Sequence, residues 1–460
     1  MKLTHISFRL VVAILFCDLL GFAQTQPVKP AVRGDLIRQR IEWFYRQRAY
    51  PLKHIPTGAR LRALKQMDQM LAEESRSASP STDLSPEAGF DVSSAATSST
   101  RWTLIGPEPT DTPYNVPIVA GRVTALAVDP TNSSVVYAGA AEGGVWKTTD
   151  GGVHWTPLTD AQTSLAVGSI AIDPSNHSTI YEGTGEENFS GDSYYGAGIL
   201  KSTNSGSSWT QIKGPFVGPF DAFAGGAQIG DMAVEPDNSA VILAGVRIYM
   251  GTTGIYRSED GGATWTSVLP NGDGTAVMFD PSNGNIAYAA LEYDHVYKSL
   301  DAGKTWARID GTGTNVLPAN AGRIALSIAS SNPSTLYAGL QDPSSGNLLG
   351  FFKTTDGGAN WVKLGNTPDY CTPQCWYDQA IGVKPNNANV VFVGGRDSVF
   401  RSTDGGSHWT DVTQGADGFY LHADLHALAF SSDSSIFILV TMAASGAQTR
   451  LPPRRCRGLS

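Results

Sequence analysis

Four carboxylates and one histidine-bearing word are the residues of this sequence best suited to chemistry. Glu142, Glu186, Asp231 and Asp378 are widely separated along the chain, each beside glycine or at the start of an apolar run. Two such groups facing each other across a cleft can act as acid and base on a glycosidic bond, which requires about 5 Å between them for retention or about 6.5–9.5 Å for inversion. "HADLH" spaces His422, Asp424 and His426 two apart, so on a strand they share a face and could offer two imidazoles and a carboxylate to a metal. That face continues to Leu428 and Phe430, which favours a polar channel lining. No metal or other cofactor is expected. "GTGEENFSGDSYYGAG" combines Glu186 and Glu187 with Tyr194 and Tyr195, a mixture suited to sugar or peptide contacts, although a solvated loop with satisfied turns would read the same. No nucleotide loop, nucleophile elbow or HExxH word occurs.

These groups need a scaffold, and the scaffold is written as a repeat. "KTTDGGVHW" at 147–155 returns at 201–209, 257–265, 298–306, 353–361 and 401–409, and each copy follows three short apolar runs such as "ALAVDP", "VVYAGA" and "GVWKT". A fourth run starts at the tryptophan. Four strands per unit at this period predict an all-β propeller of four-stranded blades. Within the phrase, Asp150, Asn204, Asp260, Asp301, Asp356 and Asp404 can bond backbone N–H groups ahead of them, and the glycines supply backbone angles that other residues resist. Trp155, Trp209, Trp265, Trp306, Trp361 and Trp409 then bury a ring between sheets. Six copies of one phrase predict a structural rivet rather than six active sites.

The phrase resembles the Asp-box, or BNR repeat, of sialidases, xyloglucanase-type glycoside hydrolases, sortilin-type receptors and the photosystem II assembly factor family. The resemblance covers residues 101 to about 436 and implies the fold more than any activity. In xyloglucanase-type relatives the segment resembling "YAGAAEGGVW" carries a catalytic Asp where this chain has Ala141, beside Glu142. That departure counts against transferring the mechanism. The arginine cluster of sialidases has no early "RIP" counterpart here. "RWTLIG" at 101–106 looks like a fourth strand without its box, so the N-terminal end is expected to complete a seventh blade begun by "LHALAF" and "SIFIL".

In a propeller, loops at one channel end gather functional groups. Arg122, Arg323, Tyr377 and Arg396 therefore join the acids, tyrosines and "HADLH" as ligand-binding candidates, with catalytic roles reserved for Glu142, Glu186, Asp231 and Asp378. The expected function is a protein, peptide or glycan binding or assembly module; the alternative is a xyloglucanase-like glycoside hydrolase.

The remaining sequence sets the context. Residues 1–23 read as a signal peptide cut near Ala23, which places the protein in the periplasm, at the cell surface or outside the cell, and no later run is long enough to span a membrane. In an exported chain Cys371 and Cys375 are expected to form a disulfide. Residues 24–76 form a basic arm expected to be helical, and 77–100 a Ser-rich linker. Residues 77–449 hold sixteen basic against thirty-six acidic residues, a net charge of −20 that argues against nucleic acid as a partner. A monomer is expected. Residues 437–460 lack a recognisable third strand and box, and a two-nucleotide shift of reading frame could restore a propeller-like word, so an aberrant tail and an incomplete last blade are expected.

Overall fold

The computed structural model describes residues 121–190, 193–217, 226–248, 251–270, 272–319, 321–414, 421 and 423–441, two short strands at Thr103–Leu104 and Arg454–Arg457, and five positions between 62 and 69. Contacts divide the chain into Met1–His54 and Ile55–Ser460, and every described residue belongs to the second unit.

Six sheets are blades of four consecutive antiparallel strands. Blade 1 comprises Val123–Val128, Val136–Ala140, Gly144–Thr148 and Thr156–Pro157. Blades 2 to 6 run from Val167 to Ile212, Ala227 to Pro270, Gly274 to Arg308, Ile324 to Lys363 and Ala380 to Asp411. A composite sheet completes the ring: Leu425–Phe430 pairs with Ile436–Thr441, which pairs with Arg454–Arg457, which pairs with Thr103–Leu104. The innermost strands are neighbours in chain order, and Leu425–Phe430 returns to Val123–Val128. There are thus six regular blades rather than the seven expected, joined by a closing sheet drawn from distant parts of the chain. Its third position is filled by Arg454–Arg457, where the sequence promised no strand. The expected helical arm, the Ser-rich linker and the signal peptide lie outside the described residues, except that Arg62, Ala63, Lys65, Gln66 and Gln69 are helical. Beyond those five positions no α-helix stands among the described residues.

Second strands sit between neighbouring sheets on both faces, which is why Ile180–Thr184 and Val391–Gly394 are buried along their whole length. Side chains of the inner strands stitch one blade to the next. Thr124 Oγ1 donates to the Val167 carbonyl at 2.6 Å, Ser169 Oγ to Ile229 at 2.9 Å, and Thr275 Oγ1 to Ile324 at 2.8 Å.

The repeated phrase is a rivet, and its construction is visible. In the third copy Ser258 Oγ donates to Asp260 Oδ1 at 2.8 Å and accepts the Gly262 N–H at 2.8 Å, while Asp260 accepts the Thr264 N–H at 2.8 Å. In the second to sixth copies the glycine at the second turn position lies on the preceding blade: a Cβ at Gly303 would stand 2.7 Å from Leu243, and one at Gly358 would stand 2.4 Å from Ile309. The preceding blade also grips the turn. Lys201 Nζ donates to the Gly261 carbonyl at 2.7 Å while lying over the Tyr181 ring, and the Tyr181 hydroxyl donates to the same carbonyl at 3.2 Å. Lys147 and Tyr137 do this at Ser205, and Lys298 grips Gly357. The tryptophans are less deeply placed than expected: Trp361 is 1% exposed, whereas Trp155, Trp209, Trp265, Trp306 and Trp409 pack against the core half-buried.

Candidate functional site

Inner strands begin, and second strands end, at one mouth of the ring. Around it are the link 185–198 of blade 2, the turn at 292–295 of blade 4, the loop 369–379 before blade 6, and Arg396 with Asp424.

The blade 2 link is neither solvated nor a surface of free acids. It turns inward over the channel, with Glu186 0%, Glu187 5%, Asn188 7% and Phe189 7% exposed. Its backbone is held by the Glu186 N–H donating to the Tyr194 carbonyl at 2.9 Å and by Gly196 N–H donating to Ala227 at 2.9 Å. Glu186 is occupied: Arg122 Nη2 meets Oε2 at 2.5 Å, and Asn188 Nδ2 donates to Oε1 at 2.8 Å. Arg122 reaches Tyr377 Oη with its other amino group at 3.0 Å. Phe189, in left-handed backbone at φ 53°, lies between the guanidinium groups of Arg247 and Arg323, 4.7 and 5.6 Å from its ring centre. Tyr194 and Tyr195 remain half-buried toward the mouth.

The loop before blade 6 forms the opposite wall. Cys371 and Cys375 are joined by a disulfide and fully buried. Tyr377, expected at an open rim, is 5% exposed, with its ring centre 4.7 Å from that of His426 in an edge-to-face contact. Its carbonyl accepts Arg323 Nη1 at 2.6 Å, so Arg323 also belongs to the wall. Asp378 is 0% exposed, and burial together with the neighbouring carboxyl of Asp424 pushes it up to about 9. Neither Asp378 carboxyl oxygen has a hydrogen-bond partner among the described residues, so nothing but burial and the nearby Asp424 carboxyl sets its preference for the neutral form.

Asp231 serves the fold. It sits at a β-bulge, its Oδ1 accepts the Met232 N–H and its Oδ2 the Val277 N–H of blade 4, both at 2.9 Å; burial raises it to about 7. Glu142 is exposed beside Ala141, which is buried with its N–H donating to the Arg122 carbonyl at 2.8 Å. Arg396 is exposed, with Nη2 2.7 Å from Asp397 Oδ2.

The "HADLH" word does not present three groups from one strand face. The strand starts only at Leu425, and Asp424 stands before it in left-handed backbone at φ 65°, turned toward Asp378 and accepting Gln374 Nε2 at 3.2 Å. His422 lies outside the described residues. No group of three or more His, Cys, Asp or Glu able to hold a metal is found among the described residues.

Beneath the link is a polar cavity of about 60 Å³ lined by Thr124, Gly168, Glu187, Asn188, Phe189, Gly230, Thr275, Arg323 and His426. Sequence reasoning found Glu187, Arg323 and His426 but missed Phe189 and the two inner-strand glycines. The spacing of "GSIAI" and "IGDMAV" was the only trace of those glycines.

Ring, blades and boxes define an Asp-box (BNR-repeat) β-propeller. Residues 227–448 match the family model described as the DUF6242 beta propeller domain. The chain is 26% identical over 331 residues to a xyloglucanase of Paenibacillus sp., covering 64% of this chain and 31% of that protein. It is also 26% identical over 350 residues to a xyloglucanase of Acetivibrio thermocellus, covering 66% and 40%. Among solved structures, a GH74 xyloglucanase from Xanthomonas campestris superposes with a TM-score of 0.53 at 21% identity, over 76% of this chain and 54% of that one. A GH74 enzyme from Niastella koreensis gives 0.52 at 22%, over 75% and 53%. These superpositions show the fold, and the chain spans well under half the length of the two xyloglucanases matched in sequence. No helix among the described residues is long and apolar enough to cross a membrane.

Proposed function

We propose that this chain is an exported recognition propeller whose mouth binds a protein, peptide or glycan and performs no hydrolysis. The observation that carries this reading is the engagement of the candidate acids. Glu186 is locked to Arg122, Asp231 to the backbone of blade 4, and Asp378 is enclosed against Asp424. A glycosidase needs two carboxyl groups about 5 to 9.5 Å apart with space for sugar and water between them. Asp378 is buried with its pKa pushed up to about 9, and only Glu142 of the four candidates is exposed.

The second reading, a polysaccharide hydrolase, draws on the xyloglucanases that the chain resembles at 26% identity. The two readings separate in one assay. Purified protein is incubated with plant and bacterial polysaccharides, and both bound ligand and released sugar are recorded. Binding without release, lost in Tyr194→Ala or Tyr195→Ala, is expected. Sugar release that disappears on changing Glu142, Glu186, Asp231 or Asp378 to Ala would replace recognition with hydrolysis.

A further inference from the structure

The axial cavity has a wall that the fold leaves unanswered. Glu187 is 5% exposed, and neither carboxylate oxygen has a hydrogen-bond partner among the described residues. It faces Arg247 of blade 3, Asp273 and Glu292 of blade 4, Arg323 of blade 5 and, across the cavity, His426 of the closing sheet. Both guanidiniums are already engaged, Arg247 with Asp273 at 3.2 Å and Arg323 with the Trp376 and Tyr377 carbonyls.

Two threonines of the wall add acceptors. The hydroxyl protons of Thr124 and Thr275 are spent on the Val167 and Ile324 carbonyls, so each offers lone pairs to a guest. Gly168 and Gly230 make the room: a Cβ at Gly230 would lie 2.0 Å from Glu187 Oε2. A buried carboxyl without a hydrogen-bond partner among the described residues, threonine lone pairs and a small volume together favour a slender cation rich in N–H donors.

We propose that this cavity receives a primary ammonium group at the end of a lysine side chain of a protein partner, with Glu187 as its counter-ion. This rests on reading the mouth as a protein-binding surface. A divalent cation would find one carboxylate and one imidazole among the lining residues, too few oxygen ligands to hold it. Glu187 Oε2 lies against Gly230, and a turn about the broad terminal torsion brings the carboxylate to the guest. Burial holds the empty-site carboxyl well above its ordinary value, so an arriving ammonium ionises it and a proton leaves to solvent.

The test titrates the full chain with n-butylammonium chloride by calorimetry, in buffers of differing ionisation enthalpy between about pH 5 and 8. Tetramethylammonium, which has no N–H, and glucosamine are the comparison probes. Saturable binding with proton release, about tenfold weaker for tetramethylammonium and about tenfold weaker in Glu187→Gln at an unchanged unfolding midpoint, is expected. No saturable binding, equal binding of the two cations, or equal binding by Glu187→Gln overturns the proposal. Glucosamine binding more tightly than n-butylammonium would replace the lysine with an amino sugar. A partner captured at the mouth with the same affinity after its lysines are acetylated would leave recognition standing and remove the ammonium pocket.

Discussion

Arg122 and Glu186 meet at 2.5 Å with side chains 7% and 0% exposed, and they join the start of blade 1 to the link of blade 2. An ion pair this deeply enclosed gives little net stability, but removing one partner strands the other charge out of water. Glu186→Ala and Arg122→Ala are each expected to cost about 3–5 kcal/mol, read as a lower urea midpoint. The double variant Arg122→Met with Glu186→Leu should return near the parent. If it falls as far as the single variants, the pair contributes directly to stability rather than only to order.

Two of the six boxes carry a correctable strain. The first turn position takes positive φ in every copy, and in the second and fourth it is filled by Ser205 at 58° and Ala302 at 56° instead of glycine. A side chain there costs about 1–2 kcal/mol, partly offset by the greater unfolded-state freedom of glycine. Ser205→Gly and Ala302→Gly should each raise stability by about 0.5–1 kcal/mol. Gly357→Ala, at φ 69° in the equivalent position, should lower it.

Acid should loosen the boxes. Asp260 is brought down to about 2 by the Thr264 side chain and N–H, and in Asp301 the bonds from Thr305 outweigh partial burial to give about 2. A carboxyl lowered in the folded state stabilises it above the unfolded value near 4 and loses that effect as pH falls toward the folded value. The unfolding midpoint should therefore drop between about pH 4 and 2, less steeply in Asp260→Asn with Asp301→Asn. An identical slope in the double variant would assign the acid sensitivity to other groups.

Glu182 acts with the opposite sign. It lies in the second strand of blade 2 at 0% exposure, neither oxygen has a partner among the described residues, and burial raises it well above the usual carboxylate range. A raised carboxyl favours the folded state below the unfolded value near 4 and works against it as pH rises toward the folded value. Glu182→Gln should flatten that loss, and Glu182→Met should add about 1–3 kcal/mol near neutral pH by removing an unpaired polar group. No gain in thermal midpoint would mean that the strand accommodates the charge.

The blades were legible because a turn that must recur is written in residue types: hydroxyl, carboxyl, glycine and tryptophan at fixed spacing. The grip on that turn from the preceding blade was not, since Lys201 and Tyr181 are twenty residues apart and neither has a distinctive neighbour. The mouth was half legible. The acids and rings named from sequence stand around the mouth, but Glu186 and Tyr377 turn inward to Arg122 of blade 1, and Asp378 is buried beside Asp424. Alternation along "HADLH" failed at Asp424, where one left-handed residue ends the strand's periodicity.

The closing sheet also sets a timetable. Each regular blade is complete as soon as its four strands have been made, but Leu425–Phe430 meets Val123–Val128 across about three hundred residues of chain. Until that strand emerges, blade 1 presents an unpaired flank through synthesis, and non-local contacts of this kind form slowly. The nascent protein is thus an open arc for most of its early life. The step that converts it to a ring is the docking of Leu425–Phe430 on Val123–Val128.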